Sequence, residues 1–162
     1  MNMTMHPITN DDQPFLEEIC YHAIFVPEGS PPPPREVVQD PDLRKYYADF
    51  GRFGDIGVVA VREIDQPVAA AWLRLLTGKQ AGYGYVDDAT PELTIATLPE
   101  YRGKGIGTRL LEALFAEANK QFSAISLSVW PANPAYQLYQ RLGFVVVKEN
   151  ENDVVMVKRL ES

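Results

Sequence analysis

Arg102-Gly103-Lys104-Gly105-Ile106-Gly107 is the stretch of this chain whose residue types and spacing most plainly serve chemistry. Glycines let backbone approach a ligand closely. The amphipathic run that begins directly behind them makes the loop a helix N-terminus, where unpaired N–H groups face outward. Such a terminus is a cradle for a phosphate. The P-loop pattern GxxxxGK[ST] does not fit, because no Gly-Lys-Thr or Gly-Lys-Ser follows at the needed spacing. GxGxxG fails as well, since it requires glycine at Thr108 or at Leu110. What fits is Arg102-x-x-Gly105-x-Gly107, after a strand and before a helix.

The elements that position this loop follow from periodicity. The strand Glu92 to Leu98 sets Glu92, Thr94 and Ala96 on one face and Leu93, Ile95 and Thr97 on the other. Behind the glycines, a helix from about Gly105 to Lys120 carries an apolar stripe of Ile106, Leu110, Leu111, Leu114, Phe115 and Ala118. Upstream, Met3 to Ile8 reads as a strand and Gln13 to Phe25 as a helix; PEGSPPPP (27–34) is too proline-rich for either. A second helix is expected over Pro41 to Phe50, with Leu43, Tyr46, Tyr47 and Phe50 as its apolar side. Ile56 to Arg62 and Val68 to Leu76 form a hairpin around Asp65-Gln66-Pro67, and Thr77 to Pro91 is a long polar loop of the kind that is often functional. Ala124 to Val129 is a further strand. Asn133-Pro134 starts a helix whose inner face is Ala135, Leu138, Tyr139 and Leu142, and Gly143 stops it. Phe144 to Lys148 and Val154 to Leu160 close the chain as a hairpin. This order predicts an α/β sandwich around a mixed sheet, in one domain over residues 1–162.

Composition narrows the function classes. With 15 basic and 22 acidic residues the net charge is −7, which argues against a nucleic-acid footprint. No apolar run approaches the roughly 20 residues that span a bilayer, and MNMTMHPITNDD does not read as a signal peptide, so a cytoplasmic protein without membrane contact is expected. Cys20 is the single cysteine and His6 and His22 the two histidines, so no metal-ligand spacing occurs and no metal is expected.

The glycine loop resembles the [Q/R]xxGx[G/A] signature of the GNAT superfamily of acyl-CoA N-acyltransferases. Asn133-Pro-Ala-Tyr-Gln-Leu-Tyr139-Gln-Arg-Leu-Gly-Phe144 looks like that superfamily's N-x-x-A-x-x-L-Y-x-x-x-G-F, except that Asn133 lies six residues before Tyr139 instead of seven. The resemblance implies the three-layer α/β/α GNAT fold, with a mixed, mostly antiparallel sheet of six to seven strands, and acetyl-CoA as co-substrate. It assigns the coenzyme A pyrophosphate to backbone N–H groups of Gly103, Lys104, Gly105, Ile106, Gly107 and Thr108, with Arg102 opening the loop. Ile95, Ala96 and Thr97 would offer backbone groups to the pantetheine arm, and Asn133 its side-chain amide. Tyr139 resembles the family's general acid. Glu92, at the start of the strand that would carry the acetyl group, is similar to the glutamate of some histone-acetylating members. Relatives that acetylate ribosomal-protein N-termini carry a glutamate on the fifth strand, where this chain has Ser126-Leu127-Ser128.

Amine acetylation makes demands that these residues meet. An alkyl ammonium with a pKa near 10 is about one part in a thousand neutral at pH 7, so its deprotonation costs roughly 4 kcal/mol and a base is useful. Attack on a thioester builds an oxyanion that backbone N–H groups can stabilise, and the expelled thiolate needs a proton. The expected activity is transfer of an acetyl group from acetyl-CoA to a primary amine of a small molecule or peptide, by direct attack in a ternary complex. The rival is a non-catalytic acyl-CoA sensor of the same fold. The sequence leaves a homodimer open.

Overall fold

The computed structural model describes residues 3–63 and 65–161. Seven strands form one sheet: β1 (Met3–Pro7), β2 (Ile56–Arg62), β3 (Pro67–Arg74), β4 (Glu92–Thr97), β5 (Ala124–Val129), β6 (Val145–Glu149) and β7 (Val154–Arg159). Their order is β1-β2-β3-β4-β5-β7-β6, and every neighbouring pair is antiparallel except β4 with β5. The last hairpin thus lays its second strand against β5 and leaves β6 at the edge.

Helices cover both faces, which is why β3 reads as an unbroken apolar run and not as an alternation. On one face lie α3 (Ile106–Ala118) and α4 (Ala135–Arg141), with Leu110, Leu111 and Leu114 packed on Ala60, Ala69 and Ala71. Each of those three leucines is fully buried, a contribution of about 1.5–3 kcal/mol apiece. On the other face α1 (Gln13–Ala23) sets Leu16 and Ile19 into a cluster with Tyr47, Phe50 and Trp72. Helix, sheet and helix make the three layers expected.

One element departs from its sequence pattern. The helix expected over Pro41 to Phe50 ends after one turn, as α2 (Pro41–Arg44). The cause lies on β3. Trp72 Nε1 donates to the Tyr46 carbonyl at 2.8 Å, and Arg74 Nη1 donates to the carbonyls of Lys45 at 2.9 Å and Ala48 at 2.6 Å. These acceptors are turned out of a helical ladder, and Asp49 at φ 55° and Gly51 at φ 121° then reverse the chain.

The parallel pair is the second irregularity. β4 and β5 share a single registered position, Glu92 opposite Ser126, beside a bond from the Ser126 amide to the Pro91 carbonyl at 3.0 Å. Beyond it the strands part, and a gap opens along β4 toward the glycine loop.

Candidate active site

The register of β4 decides which of its backbone groups face the gap. The Leu98 amide donates to the Val68 carbonyl at 2.9 Å, toward β3. Alternation along an antiparallel ladder then turns the Ala96 groups toward β3 as well, and those of Ile95 and Thr97 toward the gap. Of the three residues expected to meet the pantetheine arm, Ile95 and Thr97 turn their backbone groups to the gap, and Ala96 turns its own to β3. The Thr97 carbonyl already accepts from Arg102 Nε at 3.1 Å, and Arg102 Nη2 reaches the His22 carbonyl at 3.3 Å. Arg102 therefore straps the loop to the end of β4 and to the end of α1.

At the open end of the gap the glycine loop turns into α3. Gly103 and Gly105 hold φ of +76° and +78°, a region that costs an L-residue about 1–2 kcal/mol. An added Cβ at either would meet nothing within 4 Å, so backbone conformation is what requires glycine there, and the space outside is open. Gly105 is the N-cap of α3. The first turn has no side-chain cap and no acidic residue, so the N–H groups of Ile106, Gly107 and Thr108 present an uncontested positive end. Lys104 is exposed beside them.

At the closed end stands Glu92, only 5% exposed. Tyr46 Oη donates to its Oε2 at 2.6 Å and accepts the Tyr83 amide at 2.8 Å. Oε1 is buried without a hydrogen-bond partner, and so is Oγ of Ser126, the residue registered opposite. Gly82 and Gly84 cover this corner, and a Cβ on Gly82 would run into both Glu92 Oε1 and Tyr46 Oη. Burial pushes the Glu92 carboxyl up to about 6, with the Tyr46 hydroxyl, the Gly84 amide and the Lys45 charge pulling the other way.

Tyr139 sits on α4, 9% exposed, with its ring 5.7 Å from that of Phe144. Among the described residues its hydroxyl has no hydrogen-bond partner, and burial pushes it up to about 12. Asn133 Oδ1 accepts the amide of Ala135, the first residue of α4, at 3.0 Å, and among the described residues its amide nitrogen makes no such bond.

Five contributors escaped the sequence reading. Tyr46 counted there only as part of an apolar helix face. Gly82 and Gly84 counted only as loop. Arg74 and Asp55, whose side chains are 2% and 1% exposed, form a 2.8 Å ion pair that anchors the turn bearing Tyr46. The charge of Arg74 within the buried run of β3 is the signal that marks it, because buried arginine is almost always paired.

Residues 54–146, more than half of the chain, match the family model described as acetyltransferase (GNAT) domain. The chain belongs to the GNAT acetyltransferase family. Its fold is similar to that of a GNAT-family acetyltransferase of Staphylococcus aureus Mu50, at TM-score 0.69 and 16% identity over 99% of this chain and 100% of that one. The ribosomal-protein-S18-alanine N-acetyltransferase of Escherichia coli aligns at TM-score 0.66 and 19% identity, over 99% and 96% of the two chains. The PaiA N-acetyltransferase of Thermoplasma acidophilum, solved with coenzyme A, aligns at TM-score 0.68 and 19% identity, over 98% and 99%. No curated protein matches the sequence. This GNAT acetyltransferase has, among its described residues, no group of three His, Cys, Asp or Glu side chains placed to hold a metal, and no helix long and apolar enough to cross a membrane. Two open clefts lie away from Glu92 and Tyr139: about 430 Å³ between the β1–β2 edge and α3, and about 520 Å³ beside Leu98 and Glu100.

Proposed function

We propose that this GNAT acetyltransferase is an N-acetyltransferase that passes the acetyl group of acetyl-CoA to a primary amine of a small molecule or peptide, by direct attack in a ternary complex. One observation carries the reading: the gap along β4 runs from the free N-terminus of α3 to the buried carboxyl of Glu92. The first-turn N–H groups of α3 hold the pyrophosphate, and the gap-facing backbone of Ile95 and Thr97 lies along the pantetheine arm. Acetyl-CoA supplies an activated thioester.

With its pKa raised to about 6, Glu92 is charged at neutral pH yet takes a proton more readily than an ordinary glutamate. That matches the need of an alkyl ammonium, which must lose a proton to attack. One proton of the ammonium passes to Glu92, the nitrogen lone pair forms the C–N bond as the C–S bond breaks, the nitrogen sheds its second proton to solvent, and sulfur takes a proton from Tyr139. Solvent then restores both side chains. Tyr139, raised to about 12, stays protonated throughout the working range and holds its proton at Oη until the thiolate forms.

The test has two arms. Acetyl-CoA or CoA at about 100 times its dissociation constant should add roughly 2.7 kcal/mol of stability, seen as a thermal shift. An amine and peptide panel should then release CoA thiol. Stabilisation without any thiol release would favour the acyl-CoA sensor. A shift with nucleotide and none with CoA would overturn the donor assignment.

A further inference from the structure

The hydroxyl of Tyr46 has two partners, and their chemistry fixes the direction of both bonds. A backbone amide can only donate, so at Tyr83 the phenol oxygen must accept. Its single proton therefore points at Glu92 Oε2, 2.6 Å away. An oxygen that receives this bond is the less basic of the two. When Glu92 takes up a proton, the favoured site is Oε1, the oxygen that is buried with no partner.

We propose that Tyr46 is a positioning residue for acetyl transfer: its hydroxyl ties the Gly82–Tyr85 segment to Glu92 and reserves Oε1 as the oxygen that takes the acceptor's proton. The proposal rests on Glu92 acting as the base. Neighbouring contacts share the design. Lys45 Nζ donates to the Ala81 carbonyl at 2.9 Å, so consecutive residues 45 and 46 both grip the loop. Gly82 and Gly84 present no side chain to the carboxyl, and Ser126 Oγ, registered across from Glu92, is a second unpartnered oxygen on the same face. The charged and titratable groups around the carboxyl are Lys45 and Tyr46 from the turn, Tyr83 from the loop and Arg74 from β3, whose guanidinium is held by Asp55.

The full chain carrying ¹³C-labelled glutamate carboxyls would be titrated by NMR as wild type, Tyr46→Phe and Glu92→Gln, the last identifying the Glu92 resonance. Loss of a hydrogen bond to the charged form should move the Glu92 midpoint up by about one pH unit in Tyr46→Phe. With an active amine, the acid limb of kcat/KM should move up equally, kcat should fall about tenfold and KM for acetyl-CoA should hold. An unmoved midpoint overturns the proposal. A moved midpoint together with full activity in Glu92→Gln leaves the Tyr46 contact standing and sinks Glu92 as base, so the two failures are distinct. Wild-type hydrogen exchange gives a check free of variants: the Tyr83 amide should exchange at least tenfold slower than an unstructured amide, and exchange at the unstructured rate overturns the latch.

Discussion

Glutamine in place of Glu92 should make the protein gain stability relative to wild type as pH rises from 4.5 to 6, while abolishing acetyl transfer. In the native state the carboxyl titrates at about 6, against an ordinary value of 4.5. A raised carboxyl means that the native state binds the proton more tightly than the unfolded chain. Between pH 4.5 and 6 the native state therefore carries more protons, and stability falls as pH rises through that window. A shift of about 1.5 units corresponds to a penalty on the order of 2 kcal/mol, complete above pH 6 and absent below 4.5. At 5% exposure solvent screening does little to reduce it. Glutamine keeps an acceptor for Tyr46 and brings an amide NH2 to the unpartnered corner, a penalty that does not vary with pH. The diagnostic is thus the pH dependence of the difference between the two proteins. Thermal unfolding from pH 4 to 8 should show the melting temperature of Glu92→Gln rising relative to wild type by about 4–8 °C across the window, at 2–4 °C per kcal/mol. A difference that stays flat with pH would refute the buried, raised carboxyl.

Tyr139→Phe should lower kcat by about 10²–10⁴-fold, with CoA affinity by calorimetry unchanged and thermal stability near wild type, because the hydroxyl has no partner to lose among the described residues. Gly105→Ala should cost about 1–2 kcal/mol in urea unfolding through its φ of +78° and weaken CoA binding as the loop shifts; stability equal to wild type would show that the left-handed turn is not required. Asp55→Asn should cost about 3–5 kcal/mol, since it leaves Arg74 buried without a countercharge and weakens the bonds from the Gly51 and Arg52 amides; a loss below about 1 kcal/mol in the same assay would contradict the pairing seen.

The half of the site proposed to take acetyl-CoA was legible because its requirements are local. A left-handed residue at a helix start needs glycine, so Gly103 and Gly105 are visible in the sequence, and Asn133-Pro134 announces α4 in the same way. β2 and β5 begin and end where their apolar runs do. Alternation even sorted the faces of β4, with Leu93 and Ile95 packing toward α3 and Ala96 toward α1. The corner around Glu92 was not legible beyond Glu92 itself. Tyr46, Asp55, Arg74 and Gly82 come from four segments up to 36 residues apart, and no periodicity links a tyrosine in a turn to a carboxylate on β4. The backbone use of Ala96 was missed for a related reason: the sequence shows which face a side chain takes, and only the ladder to β3 shows where its amide and carbonyl go.

Magnitudes explain why long-range contacts defeated the local pattern at 45–50. A continued helix would recover a few tenths of a kcal/mol per residue of intrinsic propensity. It would also keep the carbonyls of Lys45 and Tyr46 within its own ladder. Trp72 Nε1 and Arg74 Nη1, both on fully buried side chains, would then lose two of the three acceptors they now hold. Each buried donor left without a partner costs about 1–3 kcal/mol, and more where it is charged. The unwound turn wins. Its functional consequence is direct, because the same turn that satisfies Trp72 and Arg74 aims the Tyr46 hydroxyl at Glu92 and the Lys45 ammonium at the loop above it. The packing of β3 and the placement of the proposed base are one structural decision, so Asp55→Asn, which touches neither Glu92 nor Tyr46, should lower kcat as well as stability.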